Sequence, residues 1–184
     1  MKTIKQSDPR ATMRRVYFEV VDAAALQTRL QSSDMNATWT IYLSKNGGAP
    51  AASAIVPTQI DAATMNGAFY IELRAVDCDT VGSLIIDVKN TGGTKSMEPR
   101  KLEVKIEQAF FGTITSATTT SFVCDRAEAT ANHWLFSLVS VLTGSGTGQI
   151  RQVSTSSGGL FGLSASTPFA VAPSNGDFVE FIAR

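Results

Sequence analysis

The residues able to do chemistry are few, and their spacing decides what they could do. His133 is the single histidine among 184 residues. A nucleophilic dyad or triad needs a base of this kind, with Ser137 or Cys124 as the attacking group. No sequence feature sets either beside it, and the G-x-S-x-G elbow is absent. His133 reads as a polar residue at the start of a strand. A structural zinc site takes about four Cys or His ligands; Cys78, Cys124 and His133 are three, scattered along the chain. Glu72, Asp77 and Asp79 are the densest carboxylates. They lack the glycine and distal glutamate of a calcium loop, so Asp77 and Asp79 are expected to cap a turn through its backbone. Glycoside hydrolysis would set two carboxylates across a cleft, and no stretch marks one out. The expectation is a protein that is not an enzyme and carries no metal and no cofactor.

Gly144-Ser145-Gly146-Thr147-Gly148 invites comparison with phosphate-cradling loops. The dinucleotide fingerprint is G-x-G-x-x-G opening a helix, and the P-loop ends in Gly-Lys-Ser/Thr before one. Here the spacing differs, no Lys follows, and residues 149–153 are strand-like. A flexible hairpin loop is the reading. Trp39, Tyr42, Phe69, Tyr70, Phe110, Phe111, Trp134 and Phe136 could stack on sugars or bases, yet they sit mostly on alternating strands, where core is the default. No basic stripe accompanies them. Lys plus Arg and Asp plus Glu are 16 each, which argues against nucleic acid as a partner.

The elements that position these residues are short strands. Residues 134–153 organise the chain: an apolar run, three glycines at alternate positions, and a returning alternating run, read as strand, turn and strand. Residues 160–163, 169–171 and 178–182 supply further short strands, with a tight turn at 175–177. Upstream, 16–21, 38–44, 68–75, 83–89 and 101–108 read as strands, the last with Leu102, Val104 and Ile106 alternating against charge. Leu84, Ile85, Ile86 and Val88 are expected to face a core. Residues 54–60 form a weaker strand with Pro57 inside it, which suggests an edge. Asn46-Gly47 accepts the positive φ of a type I′ hairpin turn, and Asn66-Gly67 is read as a second turn. Residues 23–35 are read as a loop with at most one turn, 77–81 as a turn, and 127–133 as a helical turn. The fold class is all-β: two small β-sandwich or barrel-like modules, 16–109 and 110–184, with short connections and an extended N-terminal arm over 1–15. Charged residues are only 17%, and a surface poor in charge is less protected against association. Cys78 and Cys124 do not make a disulfide framework; buried free thiols are the reading, with a bridge left open. No stretch has signal-peptide or membrane-span length, so no membrane is expected.

Residues 38–89 carry a strand ending in Ser-Lys-Asn-Gly-Gly, then Gly-Ala-Phe-Tyr and a Leu strand, then Asp-Cys-Asp-Thr-Val-Gly before another strand. This pattern resembles a module of tailed-bacteriophage structural proteins, including the N-terminal domain of baseplate upper proteins. The second half, with Gly-Thr-Gly-Gln-Ile-Arg-Gln-Val and then Pro-Phe-Ala-Val-Ala-Pro, is similar to a second β-module of phage virion proteins. The resemblance implies a structural protein of the virion, made in the host bacterial cytoplasm, with no catalytic residues to transfer. It implies an adaptor of the tail, neck or baseplate; a capsid decoration protein and a carbohydrate-binding module for host adsorption are the alternatives. Expected partners are other virion proteins and further copies of the chain. The expected contact surfaces are sheet edges, the arm through Arg10, Arg14 and Arg15, and the glycine loop through Gly144, Gly146, Gly148, Gln149 and Arg151.

Overall fold

The computed structural model describes residues 1–35, 38–90, 93–126, 131 and 133–182. It divides into two compact units, Met1–Gln108 and Ala109–Arg184, and each is built from strands. In the first, alternating side chains become β1 (Lys2–Lys5), β2 (Arg15–Glu19), β3 (Trp39–Lys45), β4 (Ala51–Ser53), β5 (Thr58–Asp61), β6 (Met65–Glu72), β7 (Gly82–Asn90) and β8 (Arg100–Glu107). They form a five-stranded sheet in the order β1-β8-β7-β3-β4 and a three-stranded sheet in the order β2-β6-β5. The two-residue period sends one set of side chains inward. Ile41 and Leu43 of β3, Leu84, Ile86 and Val88 of β7, and Val104 and Ile106 of β8 meet Val16 of β2 and Phe69 and Ile71 of β6 in one buried cluster. The two sheets are the layers of a sandwich. Asn46 and Gly47, at φ 50 and 72, make the expected hairpin turn between β3 and β4.

Residues 1–15 are not an arm. β1 pairs in parallel with β8, Lys2 opposite Val104 and Lys5 opposite Glu107, and Ile4, Asp8 and Arg14 are buried. A four-residue strand with one inward apolar side chain leaves no periodic trace in the sequence, so it reads there as a tail. Residues 54–60 are not one strand either. β4 and β5 belong to different sheets, and the chain crosses between them through buried Pro57, which cannot donate to a ladder. Asn66 and Gly67 lie inside β6 rather than at a bend. Ile85 faces outward, because it stands out of phase with Leu84 and Ile86 on the pleat.

In the second unit β9 (Phe110–Ala117), β10 (Ser121–Cys124), β11 (Leu138–Val141), β12 (Ile150–Ser157), β13 (Leu160–Leu163) and β14 (Phe178–Ile182) close into a barrel, in the order β10-β13-β12-β11-β14-β9. Every pairing is antiparallel. A barrel this small is filled by its own side chains. Phe122 stacks on Phe161 with centroids 5.0 Å apart and planes 13° apart. Phe181 lies 4.9 Å from Phe161 and 4.8 Å from Trp134, and Ile114, Val139, Val141, Val153 and Val179 complete the filling. Residues 169–171 form no strand, although Phe169 is buried in this core. The helical turn read over 127–133 falls largely outside the described residues.

Candidate functional site

His133 is exposed and packs edge-on against Trp134, 5.0 Å between ring centroids. Among the described residues neither Ser137 nor Cys124 hydrogen-bonds to it. Cys78 and Cys124 are free and buried, one in each unit. Burial pushes each thiol up to about 11, which starves it of the nucleophilic thiolate. The carboxylates each hold a partner of their own. Asp77 Oδ2 accepts the Arg74 backbone N–H at 2.8 Å and caps the 3-10 turn Ala75–Cys78, as the sequence suggests. Glu72 pairs with Arg15 at 3.0 Å. Asp79 receives the Lys45 ammonium at 2.5 Å; this hydrogen bond and one from Thr80 hold its carboxyl below the usual range. Among the described residues no three of His, Cys, Asp and Glu converge as a metal ion would require.

The two segments that carry the resemblance in the first unit touch each other. Lys45 Nζ reaches Val76 O at 2.8 Å as well as Asp79. Asn46 Nδ2 donates to Val81 O at 2.9 Å, and its Oδ1 accepts the Ser83 N–H at 2.8 Å. Gly82 is forced by this contact, since a Cβ there would lie 1.9 Å from Asn46 Oδ1. These residues form a latch that holds two loops together. No ligand is needed to explain them.

The glycine loop has the same character. Asp177 is buried; its Oδ2 accepts the Ser174 N–H at 2.8 Å and its Oδ1 the Thr143 hydroxyl at 3.3 Å. Both oxygens stand 2.2 Å from where a Cβ on Gly144 would be. Gln149 Nε2 donates to Gly146 O at 3.2 Å and Val171 O at 2.9 Å, while its Oε1 accepts the Ala170 N–H at 2.6 Å. Arg151 Nε donates to Pro168 O at 2.6 Å. Gln149 and Arg151 thus tie the loop to the segment 168–171, Gly146 takes a hydrogen bond from Gln149, Gly144 lies against Asp177, and Gly148 turns in open space. The three arginines belong to the other unit and are likewise engaged. Arg10 pairs with Asp8 at 2.8 Å, buried Arg14 donates to Leu73 O at 2.6 Å, and Arg15 lies 4.6 Å from the Tyr70 ring.

One exposed apolar wall of the barrel is hidden in the sequence. Val139, Val141, Val153, Val179 and Phe181 fill the barrel, while Leu138, Ile150 and Ile182 on the same strands are exposed. Leu138 stands opposite Ile182 across the β11–β14 ladder, and Ile150 stands opposite Ser140 on β12. These three are 38%, 40% and 49% exposed, and Phe136, just before β11, is 53% exposed. Phe136 holds φ at 65, a region bulky side chains avoid. Its N–H donates to Val153 O at 2.9 Å. An apolar run gives no sign of which side chains alternate outward, so this wall reads as core in the sequence. Comparison with known proteins finds no matching family model, no matching curated protein and no matching solved structure.

Proposed function

We propose that the chain is a non-enzymatic structural subunit of a tailed-phage virion, an adaptor or accessory protein of the tail, neck or baseplate that binds other virion proteins. The observation that carries this reading is the barrel wall of Phe136, Leu138, Ile150 and Ile182. A closed barrel offers no strand edge, so its association falls to side chains, and contiguous exposed apolar groups mark interaction surfaces. The left-handed backbone of Phe136 costs about 1–2 kcal/mol, and strain of this kind gathers where function uses it. The strand and turn residues that resemble phage modules supply the virion context. Leu138→Lys combined with Ile182→Glu changes only outward positions and sets opposite charges across the ladder; the variant should melt as the parent does and fail to enter particles. Incorporation at the parent level by the folded variant overturns the proposal. Gold label on the head rather than the tail would reassign the protein to capsid decoration.

A second reading, glycan binding during adsorption, is favoured by the first unit. Beside β2 and β6 lies an open groove of about 720 Å³ lined by Tyr17, Ile60, Met65, Asn66 and Arg29. The Tyr17 ring is exposed, 5.8 Å from that of Tyr70, and an exposed aromatic is the group on which a sugar face stacks. Tyr17→Ala should abolish any glycan-array signal; a signal that survives it places binding elsewhere.

A further inference from the structure

We propose that Asn66 is a site of self-modification, at which the Gly67 backbone nitrogen displaces the side-chain amide and leaves aspartate or isoaspartate in the groove beside β2 and β6. The chain has three Asn-Gly pairs, Asn46-Gly47, Asn66-Gly67 and Asn175-Gly176. The reaction makes two demands on each. The asparagine must be able to turn its Cγ onto the following backbone nitrogen. That nitrogen must also be unshielded, which glycine allows because it has no Cβ. The fold treats the three pairs differently.

Asn46 is held at both ends of its amide. Nδ2 donates to Val81 O at 2.9 Å and Oδ1 accepts the Ser83 N–H at 2.8 Å, so both bonds must break before Cγ can move. Asn175 is exposed, but the nucleophile beside it is occupied, since the Gly176 N–H donates to Ile114 O at 2.8 Å. The Asn66 side chain is under no such restraint. It is exposed, and among the described residues no group hydrogen-bonds to it. It lines the groove of about 720 Å³ together with Thr64 and Arg29, where water can reach it.

A regular extended strand would hold the following nitrogen away from the side chain. β6 is not regular at this point. Gln59 stands opposite Phe69 and Asp61 opposite Met65, so Asn66, Gly67 and Ala68 share the span of Ile60 alone, which makes a bulge. Gly67 sits at φ +78, far from strand values.

The only co-reactant is water. Gly67 N bonds to Asn66 Cγ as its proton passes to solvent hydroxide; the Cγ–Nδ2 bond breaks, and Nδ2 takes up a proton and leaves as ammonia. Water then opens the cyclic imide. Cleavage of one of its C–N bonds gives aspartate, and cleavage of the other gives isoaspartate, with the main chain rerouted through Cγ. Either product adds a carboxylate to a groove that Arg29 and Tyr17 also line. The inference goes beyond the assembly reading and does not depend on it.

The test keeps the full chain folded in mildly alkaline buffer, digests it with trypsin at intervals and sequences the fragments by mass spectrometry. Peptide 46–74 holds Asn46 and Asn66, and peptide 152–184 holds Asn175, so fragment ions assign each amide-to-acid mass gain to one residue. Asn66 should convert about tenfold faster than Asn46, the factor that two hydrogen bonds to be broken supply, and faster than Asn175. In guanidinium chloride, with the fold gone, the three pairs should convert at similar rates. An unchanged Asn66 in the folded chain overturns the proposal, and so does conversion at Asn46 or Asn175 that keeps pace with it. An order that persists in denaturant overturns it as well, because flanking sequence rather than the fold would then set the rates.

Discussion

Single residues here act through close approach. Gly144→Ala would push a methyl into the Asp177 carboxylate and also force a side chain onto φ +74. Gly148→Ala at φ +85 meets nothing and should cost only the left-handed penalty of about 1–2 kcal/mol. Thermal unfolding of the two variants should show Gly144→Ala clearly the worse, and equal losses would mean that Asp177 yields freely. The thiols make a pH prediction. Burial raises the Cys78 and Cys124 thiols from an ordinary value of 9.0 to about 11 in the fold, so the folded state favours the protonated form. The stability this lends is whole below pH 9 and is lost as pH climbs through 11. Denaturation curves at rising pH should show that decline, and replacing both cysteines with alanine should flatten it. At this scale the sequence was readable where one residue sets its own backbone, as Asn46-Gly47 does. It was silent on Asn46 against Gly82 and on Gly144 against Asp177, because each joins segments far apart in the chain.

Elements were readable in proportion to their alternation. The cores of β3, β6 and β8 stand out because apolar and polar residues change places at every step, whereas Leu84-Ile85-Ile86 in β7 runs apolar and hides that Ile85 faces outward. β9 and β10 run through a threonine-rich stretch with too few apolar side chains to show a period. β1 has a single inward side chain, Ile4, and its importance comes from its neighbour, β8. Ile4→Ala should cost about 2–4 kcal/mol, the range for emptying a buried aliphatic site, whereas a solvated tail would register nothing. Calorimetry of this variant decides between the two. The same reasoning reverses the outlook for truncation: removing residues 1–14 takes away a strand and the buried Asp8 and Arg14, so the first unit should be destabilised rather than merely shortened.

On the scale of the molecule, each unit has a core of its own. Residues 109–184 expressed alone should therefore fold and unfold in one cooperative transition, and a broad, gradual melt would show that the barrel depends on the sandwich. In each unit the first and last strands pair, β1 with β8 and β9 with β14, but in opposite senses. Parallel β1 and β8 leave the pair from opposite ends, Lys2 beside Val104 and Lys5 beside Glu107, so tension on Met1 and Gln108 slides one strand along the other and loads every rung together. Antiparallel β9 and β14 leave from the same end, with Phe110 beside Phe181, so tension there peels rungs one after another. Stretched between its termini, the protein should yield first in the barrel at low force while the sandwich holds, a mechanical fuse followed by an anchor.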